Sequence, residues 1–116
     1  MPKYLLLLHE PVDALPADIT PEEIQAIIQR YTDWRTRLVT AGKFVDGHKL
    51  RDGEGRVLRK DAGKMTVTDG PYAELREVIG GLFVIEAASY DEAVALSEDC
   101  PHFEFGPVEI REIEPT

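Results

Sequence analysis

An α+β fold, with two helices laid on one face of an antiparallel sheet, is what this sequence predicts. Three observations predict it. One long amphipathic segment carries clear start and stop signals, and a second, shorter one sits near the C terminus. Around and between them lie short apolar or β-branched runs separated by turn residues.

The elements follow in order. Tyr4 to Leu8 is a short apolar run ending at His9-Glu10-Pro11, the pattern of a strand covered on both faces. Pro11 to Asp18 is a loop. Thr20-Pro21-Glu22-Glu23 starts a helix: Thr20 can accept from an orphan backbone N–H, Pro21 suits the first helical position, and Glu23 completes a capping box. Ile24, Ile27, Ile28, Tyr31, Arg35 and Leu38 then fall at helical spacing with Trp34 beside them, and Gly42 is the stop. This stripe is expected to bury the helix against the sheet.

Lys43 to Leu50 reads as a second strand. The turn Asp52-Gly53-Glu54-Gly55 leads into Arg56 to Arg59 as a hairpin return, and a further turn at Asp61-Ala62-Gly63 leads into Met65 to Thr68. Asp69-Gly70-Pro71-Tyr72 breaks that strand, and Glu74 to Glu77 fits a helical turn. Gly80-Gly81 introduces Leu82 to Ile85, a second run apolar on both faces. Ser89 with Glu92 forms a second capping box that opens a short helix reaching about Cys100. Val108 to Ile113 is the last strand, alternating Val108 and Ile110 with Glu109 and Arg111. The resulting order is βαββαβ with an inserted hairpin, the ferredoxin-like pattern. Two helices cover only one face of such a sheet. The doubly apolar strands therefore call for a second sheet, most simply that of an identical subunit, so a homodimer is expected; an exposed flat face is the competing reading.

Composition narrows the function. At 116 residues the chain fits one domain, and 43% hydrophobic residues suit a globular one. Acidic side chains outnumber basic ones by 22 to 13, for a formal charge of −9, which disfavours nucleic acid and anionic membranes as partners. No segment approaches the ~20 apolar residues of a membrane span. The lone Cys100 cannot form an internal disulfide or a multi-cysteine zinc site, and the expected location is the cytoplasm.

Candidate chemistry is sparse. A proton shuttle at neutral pH points first to histidine. His9 ends the first strand, His48 shares a strand face with Asp46, and His102 follows Cys100-Pro101 in a loop. Each also reads as a structural or surface histidine. Asp69 and Tyr72 bracket the Gly-Pro turn, which is either a tight strand exit or a device that aims both side chains into a pocket as acid–base or orienting groups. The candidate catalytic set is His9, His48 and Asp69, with Tyr72, Asp46 and Arg111 as ligand contacts, Arg111 reading equally as a carboxylate clamp or a surface ion-pair member. Cys100 would be a nucleophile only with a base or cation beside it, and otherwise packs at a helix end. No HExxH or HxxxH spacing occurs, and Gly80-Gly81 lacks a following Lys-Ser/Thr, so neither a metal nor a cofactor is expected.

The string Asp69-Gly70-Pro71-Tyr72-Ala73-Glu74, followed by Glu77-Val78-Ile79-Gly80-Gly81-Leu82-Phe83, resembles the signature of the YCII-related proteins, in the branch called DGPF-domain proteins. The resemblance runs from Lys3-Tyr4-Leu5 through Pro21-Glu22-Glu23, Gly42-Lys43, Asp91-Glu92-Ala93 and Cys100-Pro101-His102 to Val108-Glu109-Ile110-Arg111, with Tyr72 where Phe often stands. It implies a dimeric α+β barrel with a cleft of unassigned purpose. Some relatives are fused to, or encoded near, sigma-factor-like regulators. A few distant members resemble muconolactone-isomerase-type enzymes and carry a His–Asp pair; the Asp of that pair falls at Cys100 here. Three functions therefore stand side by side: a dimeric binder of a small organic ligand or an isomerase- or lyase-like enzyme, a non-catalytic dimeric module in regulation, and a structural dimerisation unit with no ligand.

Overall fold

A computed structural model of the protein describes residues 1–70 and 77–116. Its elements are strand β1 (Lys3–Pro11), helix α1 (Pro21–Thr40), strands β2 (Phe44–Lys49), β3 (Arg56–Asp61), β4 (Lys64–Asp69) and β5 (Glu77–Glu86), helix α2 (Tyr90–Ser97), a 3₁₀ turn (Pro101–Glu104) and strand β6 (Val108–Ile113). The protein is an α+β protein. Four strands form one antiparallel sheet in the order β2-β5-β1-β6, while β3 and β4 form a separate two-stranded ribbon. The βαββαβ connectivity is thus present, with the ribbon inserted between β2 and β5.

Local chemistry accounts for the helix ends. Thr20 Oγ1 accepts from the Glu23 amide at 3.1 Å, and Glu23 Oε1 accepts from the Thr20 amide at 3.3 Å, closing the capping box. Gly42 follows the C-cap Ala41 with φ +72°, a left-handed conformation that glycine adopts at little cost. At α2, Ser89 Oγ accepts from the Glu92 amide at 3.2 Å, but the Glu92 carboxylate does not complete a box. It accepts instead from Lys43 Nζ at 3.0 Å and the Ala88 amide at 3.1 Å, tying α2 to the start of β2.

These bonds hold the Glu92 carboxyl below its ordinary pKa, the Lys43 ammonium first and the Ala88 N–H second. A carboxyl whose folded pKa lies below its unfolded value stabilises the fold above the unfolded pKa and loses that contribution as pH falls through the folded one. Glu92→Gln should therefore lower the urea midpoint at pH 7, and the gap from wild type should narrow in acid. A gap that stays constant with pH would show that the charge is not what matters.

The core lies between the helices and one sheet face. Tyr4, Leu6 and Leu8 of β1 and Phe83 and Ile85 of β5 point to that face and meet Trp34 and Leu38 of α1, Ala93 of α2, and Ala87 and Cys100. Trp34 stands edge-on to Phe83 at 5.0 Å between ring centroids, and its indole N–H donates to Asp99 Oδ1 at 3.0 Å. On the opposite face Leu5 pairs with Val84 and Leu7 with Leu82; all four are half-buried, and among the described residues no helix covers them. The register extends these rows to Arg111 and Glu109 on β6 and to Asp46 and His48 on β2.

Two expectations are corrected. Residues from Arg56 onward do not return along β2; β3 pairs with β4. Ala62 (φ +49°) and Gly63 (φ +79°) supply two successive left-handed residues, the backbone of a two-residue hairpin, so this tight turn fixes the pairing. The α1 stripe is also only half used for packing. Trp34 and Leu38 are buried, whereas Ile24 and Ile28 remain 38% and 49% exposed, because the N-terminal half of the helix stands off the sheet over a cleft. Ile28→Ala should then cost about 1 kcal/mol or less, the loss of partial burial without a sealed cavity. A loss near that of a buried site in urea unfolding would contradict the placement.

Candidate functional site

The cleft has a volume of about 570 Å³ and opens between the N-terminal half of α1 and the ends of β1, β2 and β5. Ile24, Ile27 and Ile28 form one wall; Leu8, Phe83 and Phe105 form the other. Its polar lining includes Tyr31, His102 and Arg35, with the main chain of His48 at its edge. Gly81 lets the strands close up here, since a Cβ at this position would come within 3.0 Å of the His48 carbonyl oxygen.

At the cleft wall sits a fixed hydrogen-bond chain. His102 is 2% exposed, on the 3₁₀ turn started by Pro101. Its Nε2 lies 2.6 Å from the His9 carbonyl oxygen and its Nδ1 lies 2.8 Å from the Tyr31 hydroxyl. A carbonyl oxygen only accepts, so Nε2 carries the proton; in the neutral ring Nδ1 is then an acceptor and the Tyr31 hydroxyl donates to it. The remaining lone pairs of the Tyr31 oxygen are left for a ligand in the cleft. Burial first, and then the negative charge that Cys100, Glu10 and Glu104 would carry, push the Tyr31 phenol above its ordinary pKa, so it stays protonated at neutral pH.

The main chain of His9 holds this arrangement. Its amide donates to the Pro107 carbonyl at 3.0 Å, while its carbonyl takes the His102 proton. Gly106 lies against the same carbonyl: a Cβ there would meet the His9 oxygen, so the close approach requires glycine. The β5 residue Gly80 sits in the register shift opposite Leu8 and His9, a bulge that turns the end of β1 toward the cleft.

The sequence-predicted residues fall in several places. His48 borders the cleft with its main chain, while its ring shares the opposite sheet face with Asp46, Nε2 lying 3.0 Å from Asp46 Oδ1. The Gly47 N–H and then His48 hold the Asp46 carboxyl below its ordinary pKa. The His9 ring turns away from the cleft, with Nε2 2.8 Å from Glu109 and Nδ1 3.5 Å from Glu77, beside a second depression of about 610 Å³. Asp69, its side chain 91% exposed, lies 3.3 Å from the Arg56 guanidinium and lines neither depression. Arg111 is exposed on edge strand β6 and makes no ion pair among the described residues. Tyr72 lies outside the described residues, as do residues 74–76 of the helical turn expected up to Glu77.

His102 and Tyr31 were the less visible pair. Tyr31 is the single phenol in an otherwise aliphatic stripe, and Pro101 fixes the turn that presents His102; those were the available signals. Cys100 is buried, and that burial pushes its thiol up to about 11, so it is protonated at neutral pH and is no nucleophile. It should react with iodoacetamide at neutral pH only after denaturant is added; rapid labelling of the native protein would refute this. Among the described residues no group of three or more His, Cys, Asp or Glu side chains could hold a metal, and no helix is long and apolar enough to cross a membrane.

Comparison with known proteins places the chain. A Rhizobium meliloti (strain 1021) relative, "Uncharacterized protein R00369", is 33% identical over 79 residues, 67% of this chain. The match spans 64% of that relative's own length. A solved structure from Arabidopsis thaliana, "Ensemble refinement of the protein crystal structure of At3g17210", aligns over 100% of this chain and 96% of its own at 15% identity and a TM-score of 0.40. The model of the YCII-related domain matches residues 3–116, so this chain belongs to the YCII-related family.

Proposed function

We propose that this chain is a homodimeric small-molecule-binding protein, with the means for isomerase- or lyase-like proton transfer, whose ligand is a small organic acid seated in the cleft under α1. The observation that carries the reading is the pairing of an apolar wall with an ordered polar chain. Ile24, Ile27 and Ile28 are at helical spacing yet line a cleft instead of packing on the sheet, and Tyr31–His102 stands in the same cleft. A volume of about 570 Å³, mostly apolar with a few convergent polar groups, fits a small organic ligand.

The roles follow from the chemistry. The guanidinium of Arg35, stacked 4.8 Å over the Phe44 ring, is a cation available to a ligand carboxylate. The Tyr31 oxygen can take a proton from the ligand while its own proton passes to Nδ1 of His102, and the reverse transfer returns it to another atom of the same ligand. No net charge leaves the site in that exchange, and the raised phenol pKa makes the relay through His102 necessary.

The dimer reading rests on the open sheet face. Leu5, Leu7, Leu82 and Val84 form an apolar strip that no helix among the described residues covers, and a second copy of the sheet would cover it.

A thermal-shift and calorimetric series with monocarboxylic acids of increasing apolar bulk tests the ligand. Wild type should be stabilised by one size class, and Ile27→Trp, which fills the cleft, should lose that stabilisation while keeping its far-UV dichroism. Equal stabilisation of both proteins would place binding elsewhere. Binding that survives intact in both Tyr31→Phe and His102→Gln would remove the proton-transfer part and favour a binding module.

A further inference from the structure

Among the described residues the β3–β4 ribbon stands apart from the four-stranded sheet and is almost wholly exposed. Every residue of β4 is exposed, and in β3 only Val57 is half-buried. Directly opposed residues on antiparallel strands share a face, so Leu58 with Val67, Lys60 with Met65, and Arg56 with Asp69 line one side. On that side Leu58, Met65 and Val67 are 59%, 56% and 56% exposed. A two-stranded ribbon is marginal in water on its own and becomes stable when its apolar face packs on something. Among the described residues no further strand pairs with either of its long edges.

Charge indicates what it packs on. Residues 56–69 hold four basic and two acidic side chains, a net +2, so the rest of this −9 chain carries −11. A basic ribbon with an apolar face complements an acidic protein, and the acidic protein at hand is this chain. We propose that the β3–β4 ribbon is an arm that grips a second copy of the chain, its Leu58–Met65–Val67 face laid on the partner and Lys60 directed to the partner's acidic surface. The contact adds to the sheet-face dimer and rests on the homodimer reading; it is independent of the ligand cleft.

Sedimentation equilibrium of the full chain over roughly 1–100 µM tests it, with wild type, Leu58→Ser/Met65→Ser/Val67→Ser, Lys60→Glu and the sheet-face variant Leu7→Ser/Leu82→Ser compared. The three arm positions are exposed, so the triple variant should keep wild-type dichroism. It should weaken dimerisation about tenfold or more; Lys60→Glu should also weaken it, and added salt should shrink the Lys60→Glu effect. Hydrogen exchange on the unmodified protein gives a second readout: amides of 56–69 should gain protection as concentration rises through the dimer range. A wild type that stays monomeric throughout would overturn both the arm and the homodimer reading. A dimer unchanged by the arm variants but weakened by the sheet-face variant, with residues 56–69 exchanging equally at all concentrations, would overturn the arm alone.

Discussion

Trp34→Ala should lower the unfolding free energy by about 3–5 kcal/mol, the range for an aromatic side chain removed from a core without collapse of the cavity. The reason is its position. Trp34 is one of two α1 residues buried on the sheet, and it packs edge-on against Phe83 of the central strand β5. Its indole N–H also bonds Asp99, the residue before Cys100, so the same side chain fastens α1 to the segment after α2. With the N-terminal half of α1 standing over the cleft, Trp34 and Leu38 carry most of the helix attachment. Trp34→Phe separates the two contributions: it keeps an aromatic ring and should recover more than half of the loss, leaving the deficit of the Asp99 bond. Urea unfolding followed by far-UV dichroism measures both. A Trp34→Ala loss of about 1 kcal/mol or less would mean that α1 is held chiefly by contacts other than these.

That concentration of packing explains what the sequence could and could not show. The capping signals at Thr20 and Ser89, the stop at Gly42 and the apolar strand runs are local chemistry, so the helices and the βαββαβ order were legible from residues a few positions apart. The hairpin partner was not. Asp52-Gly53-Glu54-Gly55 and Asp61-Ala62-Gly63 are both competent turns, and only the left-handed pair Ala62 and Gly63 reveals that the second one makes the ribbon. The α1 stripe misled for a different reason. Periodicity identifies an apolar face but not what lies under it, and Ile24 and Ile28 face a cleft whose other wall is built from β1, β5 and Phe105. The site pair was hidden by distance along the chain, since Tyr31 and His102 are 71 residues apart. His9 was singled out for its ring, yet it is the main-chain carbonyl of His9 that orients His102.

His102→Ala should therefore have the second-largest effect. It removes a buried ring and leaves the His9 carbonyl without the donor that reaches it at 2.6 Å. An acceptor stripped of its partner costs about 1–3 kcal/mol, and the vacated ring volume adds to that, for a total of about 3 kcal/mol. Stability alone does not separate a structural histidine from a working one, so Tyr31→Phe is the companion variant. It keeps the ring, the His102–His9 bond and the cleft shape, and removes only the hydroxyl. That hydroxyl is the donor to the buried Nδ1 of His102, so Tyr31→Phe should lose about 1–3 kcal/mol of stability and a large part of the affinity for the acid identified in the thermal-shift series. Imidazole added to His102→Ala should restore part of the thermal stability by refilling the cavity and bonding the same carbonyl. If His102→Ala is destabilised as expected while Tyr31→Phe binds the acid as tightly as wild type, the chain from His9 to Tyr31 is a structural strut, and the ligand must be held by Arg35 and the apolar wall.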